Sequence, residues 1–156
     1  MTDQPSDLTQ VEPETAFADL DVDAPRVGII MGSKSDMEVM EKAGAVLEEA
    51  GVSFEIRVMS AHRDPETVAD YCTNARMRGL RVIIAGAGLS AALPGVAAAH
   101  SDLPVIGVPL SSSLSAAGGL DSILSVVQMP PGVPVAAVGL DNAKNAGHLA
   151  LRILRA

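Results

Sequence analysis

At 156 residues, 48% apolar and 19% charged, the chain is sized for one compact domain. Its formal charge of −8, from 11 Lys and Arg against 19 Asp and Glu, argues against a nucleic-acid partner, and two Phe, one Tyr and no Trp leave little flat surface for stacking a base, a sugar or a flavin. Cys72 stands alone, so neither an intramolecular disulfide nor a cysteine-based zinc site can be drawn; with no membrane span and no signal peptide legible, a soluble cytoplasmic protein is expected.

Residues 1–25 carry seven acids, no Lys or Arg, and Pro5, Pro13 and Pro25. They read as a disordered, solubilising leader, although the amphipathic stretch Phe17 to Val22 would also suit docking on a partner subunit. A folded domain is expected over 26–156. From Arg26 onward, short apolar runs alternate with helical patterns, the signature of βαβ units around a parallel sheet. Five strands are predicted: Val27–Met31, Phe54–Val58, Arg81–Ala85, Pro104–Val108 and Val133–Val138.

The first strand runs into Gly32-Ser33-Lys34-Ser35-Asp36, small polar residues able to present N–H groups and hydroxyls to an anion. Ser35 to Glu38 also has capping-box spacing, so the same residues read equally as the start of a helix. That helix places Met37, Met40, Gly44, Leu47 and Ala50 on one face, with Glu38 and Lys42 as an i,i+4 pair on the other. The loop lacks both the Walker A pattern and the three glycines of a dinucleotide fingerprint, which argues against nucleoside triphosphates and dinucleotides and leaves room for a single phosphate.

After the second strand, His62 and Arg63 precede Asp64-Pro65-Glu66, an N-cap, a proline at the first helical position and an acid in the first turn. Imidazole exchanges protons near neutrality, so His62 suits a general acid/base; taken alone it reads more readily as a capping or loop-packing histidine. Cys72, inside this second helix, reads as a small core residue. Gly86-Ala87-Gly88 reads as a turn with no bulky side chain, open to close approach of a ligand. His100 and His148 fall at a helix end and in a helix body, and three scattered histidines make no metal site. The stretch Pro109 to Leu120 reads as a lid or a linker, with Asp121 capping the helix that Pro130 and Pro131 end, and a last helix follows Asp141.

In order along the chain, MGSKSD at 31–36, SAHR at 60–63, IAGAG at 84–88, LPG at 93–95, LPVIGVP at 103–109, DSILSVVQMP at 121–130 and NAG at 145–147 resemble the PurE-type aminoimidazole ribonucleotide carboxylases and mutases of purine biosynthesis. The resemblance spans nearly all of 26–156, which reads accordingly as the catalytic domain. It implies a flavodoxin-like three-layer α/β/α sandwich around a parallel five-stranded sheet, a homo-octamer with active sites at subunit interfaces, and no metal or organic cofactor. By the same resemblance Gly32, Ser33 and Asp36 bind the ribonucleotide, with Asp36 facing the sugar hydroxyls, and Ser60 and Arg63 help hold the phosphate. Ala61 belongs to the same binding loop, Ala87 and Gly88 line the pocket by backbone, and His62 matches the catalytic histidine that moves a proton at C4 of the ring.

Three departures stand out. The mutase branch commonly reads GAGGAAHLPG where this chain has GAGLSAALPG, so Ala92 replaces a pocket histidine. Asp64 stands where Thr is usual, and both are good caps. The sequence ends at Ala156, where many members continue with helices that embrace neighbouring subunits. The expected activity is interconversion of N5-carboxyaminoimidazole ribonucleotide and 4-carboxy-5-aminoimidazole ribonucleotide, through carbon dioxide trapped in the site. Direct carboxylation by carbon dioxide is the runner-up, and Ala92 motivates a third possibility, an inactive nucleotide-binding paralogue. A receiver module is disfavoured because Gly32-Ser33 and Gly86-Ala87 stand where it needs acids, and a flavin carrier because aromatics are few.

Overall fold

The computed structural model describes residues 23–156, so the leader expected over 1–25 lies almost entirely outside the described residues. The described residues form β1 (Val27–Met31), a 3-10 turn (Lys34–Asp36), α1 (Met37–Glu49), β2 (Phe54–Val58), α2 (Pro65–Asn74), β3 (Val82–Gly88), α3 (Leu93–His100), β4 (Val105–Leu110), a second 3-10 turn (Ala116–Gly119), α4 (Leu120–Val127), β5 (Ala136–Ala137) and α5 (Ala143–Arg155). The strands make one parallel sheet in the order β2-β1-β3-β4-β5. This is the flavodoxin-like order, whose direction of winding reverses between β1 and β3.

Successive side chains on a strand point to opposite faces, so a central strand needs apolar residues at every position, and β1 and β4 are buried throughout. Val27, Ile29 and Met31 of β1 join Ile84 and Val108 against Met40, Ala43 and Leu47 of α1 and Ala146 and Ala150 of α5. Ile30, Ile83 and Ala85 face the other way, onto Val68 and Cys72 of α2, Leu93 and Ala97 of α3 and Val126 of α4. Those two cores define the three layers. Cys72 is buried, in keeping with a core role, and its surroundings push the thiol up to about 11.

Where strands differ from expectation, pairing decides. β3 runs on through Gly86, Ala87 and Gly88, expected as a turn, because each finds a partner on β4, ending at Gly88 opposite Leu110. β4 likewise continues through Pro109 and Leu110. A proline is tolerated there because β5 pairs only as far as Gly107. β5 shrinks from the expected six residues to Ala136–Ala137: Val133 donates its N–H to Pro130 in a turn, Pro134 has none to give, and only β4 is available as a neighbour.

Local helix signals mostly act as read. Asp64 accepts from the Thr67 N–H at 3.4 Å and Pro65 opens α2. The capping box at Ser35–Glu38 does not form. Ser33 instead caps the 3-10 turn, accepting from the Ser35 N–H at 3.3 Å, and Asp36 precedes α1 without a side-chain cap bond. Glu38 and Lys42 make no ion pair. Asp121 lies inside the first turn of α4 rather than at its cap, where its carboxylate accepts from the Ala116 N–H at 3.1 Å and the Ser122 N–H at 2.9 Å.

The edge strand β2 is held by one carboxylate. Glu55 accepts from the Tyr71 hydroxyl at 2.9 Å, Arg78 at 2.6 Å and Arg57 at 3.2 Å. Burial alone would raise this carboxyl, but the three hydrogen bonds together hold it below the usual range.

Candidate active site

The strand ends at the switch between β1 and β3 open into a cavity of about 810 Å3, within the range of small-molecule sites. Its walls include Gly32, Ser33, Asp36, Ser60, Ala61, His62, Arg63, Ala87 and Gly88, so every site residue expected from the sequence lies on one cavity. His100, the last residue of α3, and His148, within α5, lie elsewhere.

Arg63 ties two loops together. Its guanidinium donates to the Gly32 carbonyl at 2.7 Å and to Ser60 Oγ at 3.3 Å, while its backbone N–H donates to the same hydroxyl at 3.2 Å. The Asp64 N–H then donates to the Ser60 carbonyl at 2.9 Å, closing the turn that carries His62. The backbone on both sides of the imidazole is thus fixed, while the ring itself stays exposed at the cavity. In the first loop, the Ser35 hydroxyl donates to Ser33 Oγ at 2.9 Å and the Asp36 N–H to the Ser33 carbonyl at 3.1 Å. Burial raises the Asp36 carboxyl above its ordinary value, opposed by a Ser33 backbone hydrogen bond and by the Arg63 charge.

β3 contributes backbone rather than chemistry. A Cβ on Gly88 would lie 3.1 Å from the Leu110 carbonyl oxygen, so this strand end packs too closely for a larger residue to fit easily. Leu89, next in the chain, has φ of +56°, a region that disfavours bulky residues, and it lines the cavity half-exposed.

Leu89, Ser90, Leu93 and the Ser111–Leu114 segment, none of them singled out as a binding residue from the sequence, also line the cavity, as does Ala92. The serines after β4 were visible as a small polar run but gave no sign of which way they faced. Asp141, also unselected, holds that run in place. Its carboxylate accepts from the Ser111 N–H at 2.8 Å and from the Ser111 hydroxyl. No local pattern connects residues so far apart in the chain.

The arrangement offers an exposed imidazole, one partly buried carboxylate, a guanidinium and clustered hydroxyls beside open backbone. It is equipped to bind a polar, phosphate-bearing small molecule and to move a proton on it. Among the described residues no cluster of three or more His, Cys, Asp or Glu could hold a metal ion.

The family model described as AIR carboxylase matches residues 26–156. The N5-carboxyaminoimidazole ribonucleotide mutase of Pyrococcus abyssi is 59% identical over 133 residues, covering 85% of this chain and 75% of that protein. The phosphoribosylaminoimidazole carboxylase of Schizosaccharomyces pombe is 54% identical over 133 residues, covering 85% of this chain and 24% of that much longer protein. Among solved structures, Treponema denticola PurE superposes with a TM-score of 0.73 at 35% identity, covering 84% of this chain and 80% of that one.

Proposed function

The chain belongs to the AIR carboxylase family, and from that premise we propose that it is the mutase of purine biosynthesis that interconverts N5-carboxyaminoimidazole ribonucleotide and 4-carboxy-5-aminoimidazole ribonucleotide. The observation that carries this is convergence: the residues of the family motifs that bear chemistry, drawn from β1, β2 and β3, meet on one cavity.

Arg63 and Ser60 hold the phosphate, Ser33 and the Gly32 backbone support it, and Asp36 accepts from the sugar hydroxyls. Ala61, Ala87 and Gly88 give the ring a wall without bulk. When the carbamate N–C bond breaks, its electron pair returns to nitrogen, which takes up a proton, and carbon dioxide is released beside the ring. The enamine carbon C4 then attacks carbon dioxide, and loss of the C4 proton restores aromaticity. Each turnover gives one proton to nitrogen and takes one from carbon, so a single acid/base, His62, closes the balance. Holding carbon dioxide next to C4 replaces a bimolecular encounter with an intramolecular one. The chemistry needs no metal or organic cofactor.

An assembly of several copies, a homo-octamer with sites at its interfaces, accompanies this proposal. Its support is exposed apolar surface. Leu120, Leu124 and Val127 follow helical spacing along α4, and Leu114, at the cavity, is 77% exposed. A cytoplasmic location fits the lone buried cysteine, and no helix among the described residues is long and apolar enough to cross a membrane.

The direct test supplies 4-carboxy-5-aminoimidazole ribonucleotide to the purified protein and follows carbamate and free aminoimidazole ribonucleotide, with and without bicarbonate. Carbamate without free aminoimidazole ribonucleotide is the expected result. Aminoimidazole ribonucleotide as sole product, reversed by dissolved carbon dioxide, identifies a direct carboxylase instead, which Ala92 on the cavity wall and the name of the Schizosaccharomyces pombe relative favour as the second reading. No conversion of either kind points to an inactive paralogue.

Asp36→Asn should separate binding from stability. A carboxyl raised in the fold binds its proton more tightly there than in the unfolded chain. Its ionisation therefore costs stability, and that cost appears as pH rises through the interval between the ordinary value and the raised one. The amide removes the cost, so thermal stability at pH 7 should match or exceed wild type while KM rises about tenfold for the lost charged hydrogen bonds. Unaltered KM takes Asp36 out of the ribose site.

A further inference from the structure

Ser111 follows the last residue of β4, Leu110, which pairs with Gly88, and so lines the cavity beside the end of β3. It is not free to turn. Asp141, at the corner between β5 and α5, takes the Ser111 N–H on Oδ1 at 2.8 Å and the Ser111 hydroxyl proton on Oδ2. Asp141 is itself fixed: its N–H donates to the Pro109 carbonyl at 2.8 Å, and its φ of +57° lies in the left-handed region that Asp and Asn tolerate better than other non-glycine residues.

A carboxylate only accepts, and a serine hydroxyl has one proton. With that proton and the backbone N–H both committed to Asp141, Ser111 Oγ presents the cavity with lone pairs alone. Whatever ligand group meets it must be a donor. We propose that Asp141 is a positioning residue that fixes Ser111 as an acceptor-only hydroxyl, and that Ser111 selects ligands carrying an N–H donor on the ring. This rests on the proposed substrate, whose sugar hydroxyls are assigned to Asp36 and whose ring bears an amine or carbamate nitrogen next to the reacting carbon. Ser111 then reads the nitrogen that gains and loses the carboxyl group.

The test measures dissociation constants, on the full chain, for aminoimidazole ribonucleotide and for the analogue that lacks the 5-amino group. Wild type should prefer the amine by about tenfold, the effect of one well-made hydrogen bond whose loss leaves an acceptor unpaired. Ser111→Ala should bring the two affinities together by weakening the amine alone. In Asp141→Asn the left-handed backbone is kept and the Oδ1 acceptor with it, but the new NH2 donates to Ser111 Oγ and turns the hydroxyl proton toward the cavity. Preference for the amine should fall to about twofold or less, with affinity for the analogue unchanged.

A purely structural role for Asp141 would weaken both ligands alike and keep their ratio, and that result overturns the proposal. Equal wild-type affinity for the two ligands overturns it as well while leaving the mutase assignment intact. Wild-type protein that binds neither ligand overturns both.

Discussion

Replacing His62 by Asn should cut turnover by about 100- to 10,000-fold while leaving the dissociation constant of aminoimidazole ribonucleotide within about threefold of wild type, because general acid/base help is worth that much and Asn cannot supply it. Of the three histidines, only His62 stands on the cavity. The other ionisable groups on its walls are poorly suited to exchange a proton at carbon: Arg63 stays charged and is tied to Gly32 and Ser60, and Asp36 is assigned to the sugar in the proposed binding mode. The substitution should not disturb the fold. His62 is exposed, and the turn that bears it is closed by the Asp64 and Arg63 N–H groups on Ser60, not by the imidazole, so the unfolding free energy should stay within about 0.5 kcal/mol of wild type. Single-turnover kinetics alongside calorimetric binding separates the two effects. Unchanged turnover would remove His62 from the mechanism, and lost binding would make it a positioning group instead.

Gly147→Val is the substitution expected to damage stability most. α5 lies against α1 through small buried residues, Ala43 on one helix and Ala143, Ala146 and Ala150 on the other. A Cβ at Gly147 would stand 2.8 Å from the Ala43 carbonyl oxygen and 3.0 Å from Val46 Cβ. Backbone cannot swing aside as a long side chain does. Filling a helical glycine ordinarily gains about 0.5–1 kcal/mol of propensity with Ala, but overpacking costs about 1–3 kcal/mol and Val adds a stiff, branched side chain that suits a helix poorly. A net loss of about 3 kcal/mol should lower the urea midpoint with an unaltered m-value. A midpoint equal to wild type would mean that α1 and α5 separate readily, and Gly147 would need another explanation.

Gly147 also shows why a motif and a site are different things. NAG at 145–147 is part of the resemblance, yet its glycine is accounted for by packing against α1, and its Asn145 backbone N–H is capped by the Asn142 side chain at 3.0 Å. LPVIGVP is the buried strand β4, and DSILSVVQMP supplies Asp121, which braces the turn before α4. The motifs that reach the cavity are MGSKSD, SAHR and GAG, with the leucine of LPG at its edge. Resemblance named the candidate site residues together; geometry separates those that line the cavity from those that hold the frame.

The sequence by itself determined whatever short range controls. β1 and β2 have the bounds that their apolar runs predict, and α2 starts at the Asp64-Pro65 signal, because burial pattern, proline geometry and capping are settled within a few residues. A cavity beyond the strand ends follows for the same reason, since parallel strands must be followed by loops at one edge of the sheet. Tertiary structure decided the rest. GAG became strand rather than turn because β4 offered it partners, β5 stayed short because only one neighbour was there to pair with it, and Ser111 acquired its orientation from Asp141, thirty residues away. A hydrogen bond has no preference for which part of the chain supplies its partner, so strand length, and the direction in which a cavity hydroxyl points, are fixed only when distant segments arrive.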